Sequence, residues 1–465
     1  MGKLNWWRVA CAVGAFCSAG VIPSAAQTFK TVVNFSGVNG ATPEASPVHA
    51  FDGNLYGTTS AVLGGTGNCG TFFRLTPAGA LTTLQSFDCT DGSWPFAPLV
   101  LGADGNFYGT TIYGGANGDG TIFRMSPTGT LTTLHDFDST DGSDVLSGLV
   151  LGADGNFYGT TAGGGANGYG TVFRMTPAGS FTTLHNFAGG SGDGAYPYSG
   201  LVQGSNGSLY GTTDAGGSSS LCSNGCGTIF KITSRGVLST LHEFKLWDGA
   251  SPDGTLVEGT DGNFYGTAFS GGVGGYGTVF RLTPSGILGT LHTFSLTDGA
   301  NPYAGLVLGT DGNFYGTTNA GGTHGDGVLF RITTKGTLSI LHDFDSTDGD
   351  APAAALVQDT SGVFYGTTVY GGASTYGTLF SLSVGLRPFV ETNPASGKVG
   401  AAVKILGTNL TAANGVIFNG TAATFKVISR SLISTTVPAG ATSGKVEVTT
   451  PYGSFTSNVL FRVRQ

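Results

Sequence analysis

Five histidines recur at equivalent places: His135, His185, His242, His292 and His342. Regularly spaced imidazoles raise a metal ring, because neutral imidazole is a common ligand. Each of these sits in its own repeat, however, and packing between repeats with its nitrogens hydrogen-bonded is the simpler role. Asp-rich crossing stretches recur as well: "DSTDGSD" at 138–144, "DSTDGD" at 345–350, and "DCTDG" at 88–92. Carboxylates at alternating positions are calcium chemistry, and calcium is the cofactor such loops would take. No acid follows at EF-hand spacing, and most copies keep only Asp-Gly, which is turn chemistry. A second set breaks a regular pattern. Where some copies carry Leu101, Leu151 and Leu308, others carry His49, Gln203, Glu258 and Gln358. An imidazole and a carboxylate in a channel would do acid–base work of lyase or hydrolase type, but no nucleophile–base pair accompanies them. A third set is aromatic: Trp94, Phe96, Tyr196, Tyr198, Trp247 and Tyr303, beside Asp and Asn. Rings next to carboxylates and amides suit sugars, which offer C–H faces and hydroxyls together. The plainer role is to plug a channel mouth or pack a loop.

The chain of 465 residues is rich in Gly (82) and poor in charge (10%), with 40% hydrophobic residues. Disordered chains combine low hydrophobicity with high charge, so this one is not disordered. Lys3 and Arg8, an apolar run at 9–22, and small Ser24 and Ala26 read as an export signal cleaved after Ala26. An uncleaved membrane anchor is the rival. Loss of Lys3 and Arg8 would take the net charge from −8 to −10. An acidic chain without a basic cluster excludes nucleic acid and anionic membrane as natural partners. No later run is apolar and long enough to span a bilayer. Cys69, Cys89, Cys222 and Cys226 remain, an even count in an exported chain. Cys69 and Cys89 flank a hairpin symmetrically about Gly79, and Cys222 and Cys226 bracket one loop, so the pairs are Cys69–Cys89 and Cys222–Cys226. A zinc site is the alternative, but the pairs lie in different repeats without His at ligand spacing.

These residues sit on a repeat. The octapeptide "DGNFYGTT" at 104–111 returns in seven versions, with its Tyr at 56, 108, 158, 210, 265, 315 and 365. A period near 50 residues fits a four-stranded propeller blade. One unit holds four strand candidates: A at 148–152, B at 156–161, C at 171–177 and D at 180–187. Strands A, B and C occur seven times. D follows its own C only six times, but "FKTVVNF" at 29–35 looks like a D strand with no C before it. The predicted fold is all-β: a seven-bladed β-propeller over 27–384, closed by the N-terminal strand, after a signal peptide at 1–26. A β-helix or open solenoid would not need the leftover strand to match. Residues 385–465 have a different rhythm of short alternating strands, read as a small immunoglobulin-like β-sandwich.

The units resemble the GloVer tandem repeats of secreted bacterial proteins, on "GTVFRLTPSG", "LHTF" and "DGANPYAGLVLGTDGNFYGTT" within 277–318. That resemblance implies export and a surface role and carries no assigned reaction. The C-terminal segment resembles the IPT/TIG domain, on "NPASGKVGAAVKILGTNL", "VIFNGTAA" and "VPAGATSGKVEVTT". Such domains serve as binding modules or spacers. The expectation is an extracellular, cell-surface or periplasmic binding or scaffold protein. Its partner would be a polysaccharide or another surface protein, met on the face bearing the B–C and D–A loops. The alternative is a propeller enzyme with its site in the channel.

Overall fold

The computed structural model describes residues 27–63 and 68–464; the export segment lies outside them. Regular structure among these residues is β-strand, apart from a short 3-10 turn at Leu410–Ala412. The repeats form seven four-stranded antiparallel sheets. In the third, A is Val150–Leu151, B is Phe157–Thr161, C is Thr171–Met175 and D is Phe181–Asn186. Strand A is shorter than the five-residue run predicted, and its flanking glycines serve close approach. A Cβ on Gly148 would lie 3.0 Å from Pro98 O of the preceding unit, and one on Gly152 would lie 2.7 Å from the Tyr158 ring. The seventh sheet takes its outer strand from the start of the chain. Thr28–Asn34 pairs with Thr378–Ser383, with Thr28 opposite Ser383 and Asn34 opposite Thr378.

The octapeptide is both a turn and a joint. Asp104 Oδ1 accepts from the Asn106 backbone N–H, while Oδ2 accepts from Asn106 Nδ2 and the Tyr108 hydroxyl. Successive residues of a strand point to opposite faces, so Phe and Tyr of one octapeptide serve different neighbours. The Tyr rings of units one, two, four, five and six meet the octapeptide Phe of the next unit at centroid distances of 4.1–4.4 Å. In unit seven, Tyr365 packs with Leu55 of unit one. The Gly after each Tyr makes room for a strand C ring: a Cβ on Gly109 would stand 2.6 Å from Phe123 Cζ. The first Thr donates to a backbone carbonyl of the next unit in all seven copies, and Thr367 of unit seven reaches Ala45 O of unit one.

Beyond Ser383 two four-stranded sheets stack. One contains Val390–Asn393, Ala402–Gly407, Leu432–Thr436 and Phe425–Val427; the other contains Thr421–Ala422, Gly415–Phe418, Val446–Thr450 and Gly453–Thr456. Their alternate residues, among them Val403, Ile405, Val416, Phe418, Ile433 and Val448, bury one apolar core. This sandwich rests on the A–B turns of the repeats. Ser431 Oγ donates to Phe51 O, Asn393 Nδ2 to Leu101 O, Arg462 to Gly204 O and Glu258, and Phe389 N–H to Thr360 O. Lys404 Nζ lies 4.2 Å from the Phe51 ring centroid. Turns of units one, two, four, five and seven are therefore held by one small domain.

Candidate functional site

The seven units present the same backbone at the opposite, loop-bearing face. Fourteen residues before each octapeptide Tyr stand Thr42, Trp94, Asp144, Tyr196, Ser251, Asn301 and Ala351. All seven adopt a left-handed backbone, φ between 49° and 60°, although none is Gly. Their geometry is fixed by bonding on both sides. Each carbonyl accepts from the N–H four residues after the octapeptide Tyr: Ser60, Ile112, Ala162, Asp214, Phe269, Asn319 and Val369. Trp94, Tyr196, Ser251, Asn301 and Ala351 donate their own N–H to a carbonyl of the preceding unit, and Thr42 donates to Tyr376 O of unit seven. Such conformations cost of order 1–3 kcal/mol each and persist only where surroundings over-determine them.

Two residues further on, the chain reaches the centre. The residues twelve before each octapeptide Tyr are Glu44, Phe96, Leu146, Tyr198, Asp253, Tyr303 and Ala353, and all seven line a single cavity of about 80 Å³. Each is partly exposed. The Phe96 and Tyr303 rings, from units two and six, meet edge to face at 6.2 Å. Backbone is constant here and chemistry is not.

Two carboxyl groups line this mouth, Glu44 and Asp253, and a third, Asp214, adjoins Asp253. Burial raises Asp253 well above the ordinary Asp value, and the charge and hydrogen bonding of neighbouring Asp214 add to the effect. Asp253 Oδ1 is shielded and has no hydrogen-bond donor. Burial also raises Asp214, against bonds with Ser251 and Asp253 that lower it. Burial raises Glu44 too, opposed by bonds from Ser60 and Trp94. Trp94 Nε1 donates to Glu44 Oε2 at 2.7 Å. Burial raises the Tyr303 phenol, with the charges of Asp253 and Glu44 next in effect, and burial and Asp214 raise Tyr198.

Of the six aromatic residues singled out from sequence, Phe96, Tyr198 and Tyr303 line the cavity. Trp94 joins it through Glu44, and Tyr196 stands on the rim with its ring 5.7 Å from Tyr169. Trp247 is apart from the cavity: it is 62% exposed and its ring lies 5.5 Å from Lys245 Nζ. Glu44, Asp214 and Asp253 were not singled out. Two of them share a repeat position with Phe96, Tyr198 and Tyr303, so superposing the units finds them, whereas a search for rings does not.

The four polar strand A residues lie at the other end and do not converge. Gln203 accepts from Ala153 N–H, Glu258 from Ser205 N–H and Gln358 from Thr310 N–H, each in the turn of the preceding unit. His49 faces Asp359 and Asp52, and burial lowers its imidazole below the ordinary value. The strand D histidines pair within their own unit, His135, His185, His242, His292 and His342 with Asp141, Asp193, Asp248, Asp298 and Asp348, at 2.8–3.3 Å. His135 stacks on Phe181 of the next unit at 4.0 Å. In the 138–144 loop, Asp138 Oδ1 accepts from Thr140 and Asp141 N–H, so its carboxylate is engaged by its own turn. Among the described residues no three His, Cys, Asp or Glu side chains group as a metal site, and no helix is long and apolar enough to cross a membrane. Both disulfides, Cys69–Cys89 and Cys222–Cys226, are present.

A family model described as the Gloeobacter/Verrucomicrobia repeat matches residues 20–223 and 219–424, and one described as the IPT/TIG domain matches 389–463. No curated protein matches in sequence. Among solved structures, a fungal alcohol oxidase of the AA5 family in complex with copper is similar with a TM-score of 0.51 and 14% identity, over 94% of this chain and 99% of that one. A putative 6-phosphogluconolactonase from Bacteroides fragilis is similar with a TM-score of 0.46 and 18% identity, over 83% and 96%. The likeness to the oxidase is one of fold.

Proposed function

Because the chain belongs to the Gloeobacter/Verrucomicrobia repeat family, we propose that it is an exported binding scaffold, a closed seven-bladed β-propeller that engages polysaccharide at its loop face. Closure is supported by the contacts from unit seven to unit one: the strand pairing, Tyr365 on Leu55, Thr367 to Ala45 and Thr42 to Tyr376. Export is supported by the two disulfides, which persist in oxidising compartments.

One observation carries the binding reading: seven identical left-handed supports hold seven different side chains, with rings and carboxyls meeting at one partly exposed cavity. A reaction needs few groups in fixed roles, whereas recognition uses a varied surface on a rigid frame. Rings supply faces for sugar C–H groups, and Glu44, Asp253 and Asn301 supply hydroxyl partners. The opposite end is covered by the sandwich, so the loop face is the accessible mouth. A glycan array with the mature chain tests this. Binding to a defined glycan, weakened about tenfold or more by Tyr198→Ala, is the expected result. Absence of binding to every glycan, with capture of a surface protein instead, would overturn it.

A second reading is favoured by the Asp214–Asp253 pair. A carboxyl whose proton affinity burial raises, beside a second carboxyl, is a general-acid arrangement, which suits glycoside cleavage of hydrolase or lyase type. Release of new reducing ends from a bound polysaccharide, abolished by Asp253→Asn, distinguishes it from binding alone.

A further inference from the structure

Asp253 Oδ1 is shielded from solvent at the central cavity, and no donor of the chain reaches it. Its polar neighbour is a second carboxyl, Asp214, from the adjoining unit. A carboxylate offers only acceptors, so two of them side by side require a proton or a cationic donor between them. Glu44 lines the same cavity, and Phe96, Tyr198 and Tyr303 supply three aromatic rings around it. No Lys, Arg or His lines this cavity. An unpartnered Asp253 acceptor, a second acid in Glu44 and ring faces without a cation describe the complement of an ammonium group. Such a group carries three N–H donors, and aromatic faces attract it by about 0.5–2 kcal/mol each, depending on desolvation.

We infer that this cavity holds a protonated primary amine, as borne by a cationic amino sugar, with Asp253 and Glu44 as its acceptors, Asp214 beside Asp253 as a further anion and Phe96, Tyr198 and Tyr303 as its walls. The inference rests on the polysaccharide reading and names the sugar class within it. A cavity of about 80 Å³ takes the amino group and its carbon, while the remainder of the ring lies outward towards Trp94 and Tyr196. The proton balance is explicit. In the free protein we assign one shared proton to the Asp214–Asp253 pair, because two adjoining carboxyls favour it. The incoming ammonium brings its own three, so the shared proton leaves to solvent as the cation enters. The ionisable groups facing the pair are Glu44, Tyr198 and Tyr303, with Asp144 and Tyr196 near Tyr198.

Titration calorimetry of the mature chain with a β-1,4-glucosamine tetramer, its fully N-acetylated counterpart and a glucose tetramer tests this. Two buffers of different ionisation enthalpy report proton release. The expected result is binding of the amine form at least tenfold tighter than either neutral form, with close to one proton released. Equal or tighter binding of a neutral form overturns the amine inference and leaves the sugar reading standing. Failure of all three to bind overturns the inference, and the glycan array then decides the broader reading separately. Asp253→Asn keeps the shape of the protonated carboxyl, so it folds like the parent. It is expected to abolish the amine preference and the proton release while neutral binding persists; a retained preference overturns the assignment to this pair. Glu44→Gln, on the more open side, provides a second variant with a weaker loss of the same preference.

Discussion

Gly159 shows why a residue with no side chain recurs seven times. A Cβ there would lie 2.5 Å from Phe173 Cζ and 3.1 Å from Leu149 Cδ2, both packed in the core. Overpacking of this kind costs about 1–3 kcal/mol. Gly159→Ala is therefore expected to lower the unfolding free energy by that amount, read as a lower urea midpoint at unchanged slope. Asp154 makes a second residue-level case. Burial opposes its ionisation, but bonds from Tyr158 and Asn156 outweigh it and hold its carboxyl below the ordinary value. Its contribution is present above the ordinary Asp range and is lost as pH falls through the lowered value. Unit four keeps the same joint with Asn206, whose Nδ2 donates to Tyr210 at 2.7 Å. The octapeptide could be read from sequence as turn plus strand. The ring that requires its Gly could not, because Phe173 is fourteen residues away and meets it only across the ladder. The cavity residues were half legible: rings attract notice by type, whereas Glu44 and Asp253 are ordinary loop acids until the units are superposed.

At the scale of elements, the informative piece is Thr28–Asn34. Copy counting was enough to predict its partner, because an unpaired edge strand has a cost and a missing D strand has a place. Removing residues 27–35 would leave Thr378–Ser383 with an exposed edge and uncover Leu379 and Phe73, which pack with Val33 and Phe35. The shortened chain is expected to melt at lower temperature and to elute as aggregate on size exclusion. The Cys69–Cys89 bridge ties the adjoining C and D strands of unit one. A loop of its 20-residue separation stabilises by about 3 kcal/mol in the chain-entropy model. The double replacement by Ser should cost that much in chemical denaturation and leave glycan binding unchanged. Strand A was legible in place but not in length, since the close approach of neighbouring backbones at Gly148 is a property of the assembled units.

For the whole molecule, the sandwich and the repeats meet at a titratable seam. Glu391 lies on the first sandwich strand. Burial, then the charge of Asp359, push its carboxyl up to about 7, against a bond with Asn458 that lowers it. A raised acid contributes stability that is present below its unfolded value near 4.5 and is lost as pH rises through about 7. Glu391→Gln is expected to match the parent in unfolding free energy at pH 5 and to exceed it at pH 8, by at most about 3 kcal/mol. Identical pH profiles would show that Glu391 is freely hydrated. His49 acts in the opposite sense: its lowered imidazole contributes above 6.5, and that contribution is lost as pH falls. The sandwich was legible as a domain, but its seat on five A–B turns was not, because no sequence pattern records contacts as distant as Arg462 with Glu258.

The pairing of Thr28 with Ser383 also sets an order of events in time. A growing chain presents its first strand early and its partner some 350 residues later. Until then Thr28–Asn34 has no ladder to join, and bringing the ends together carries an entropic cost that local hairpins escape. The middle units can form as they emerge, but the last contact made belongs to a strand synthesised before any of them. The nascent protein thus carries its own clasp, which fastens only when the repeats are complete.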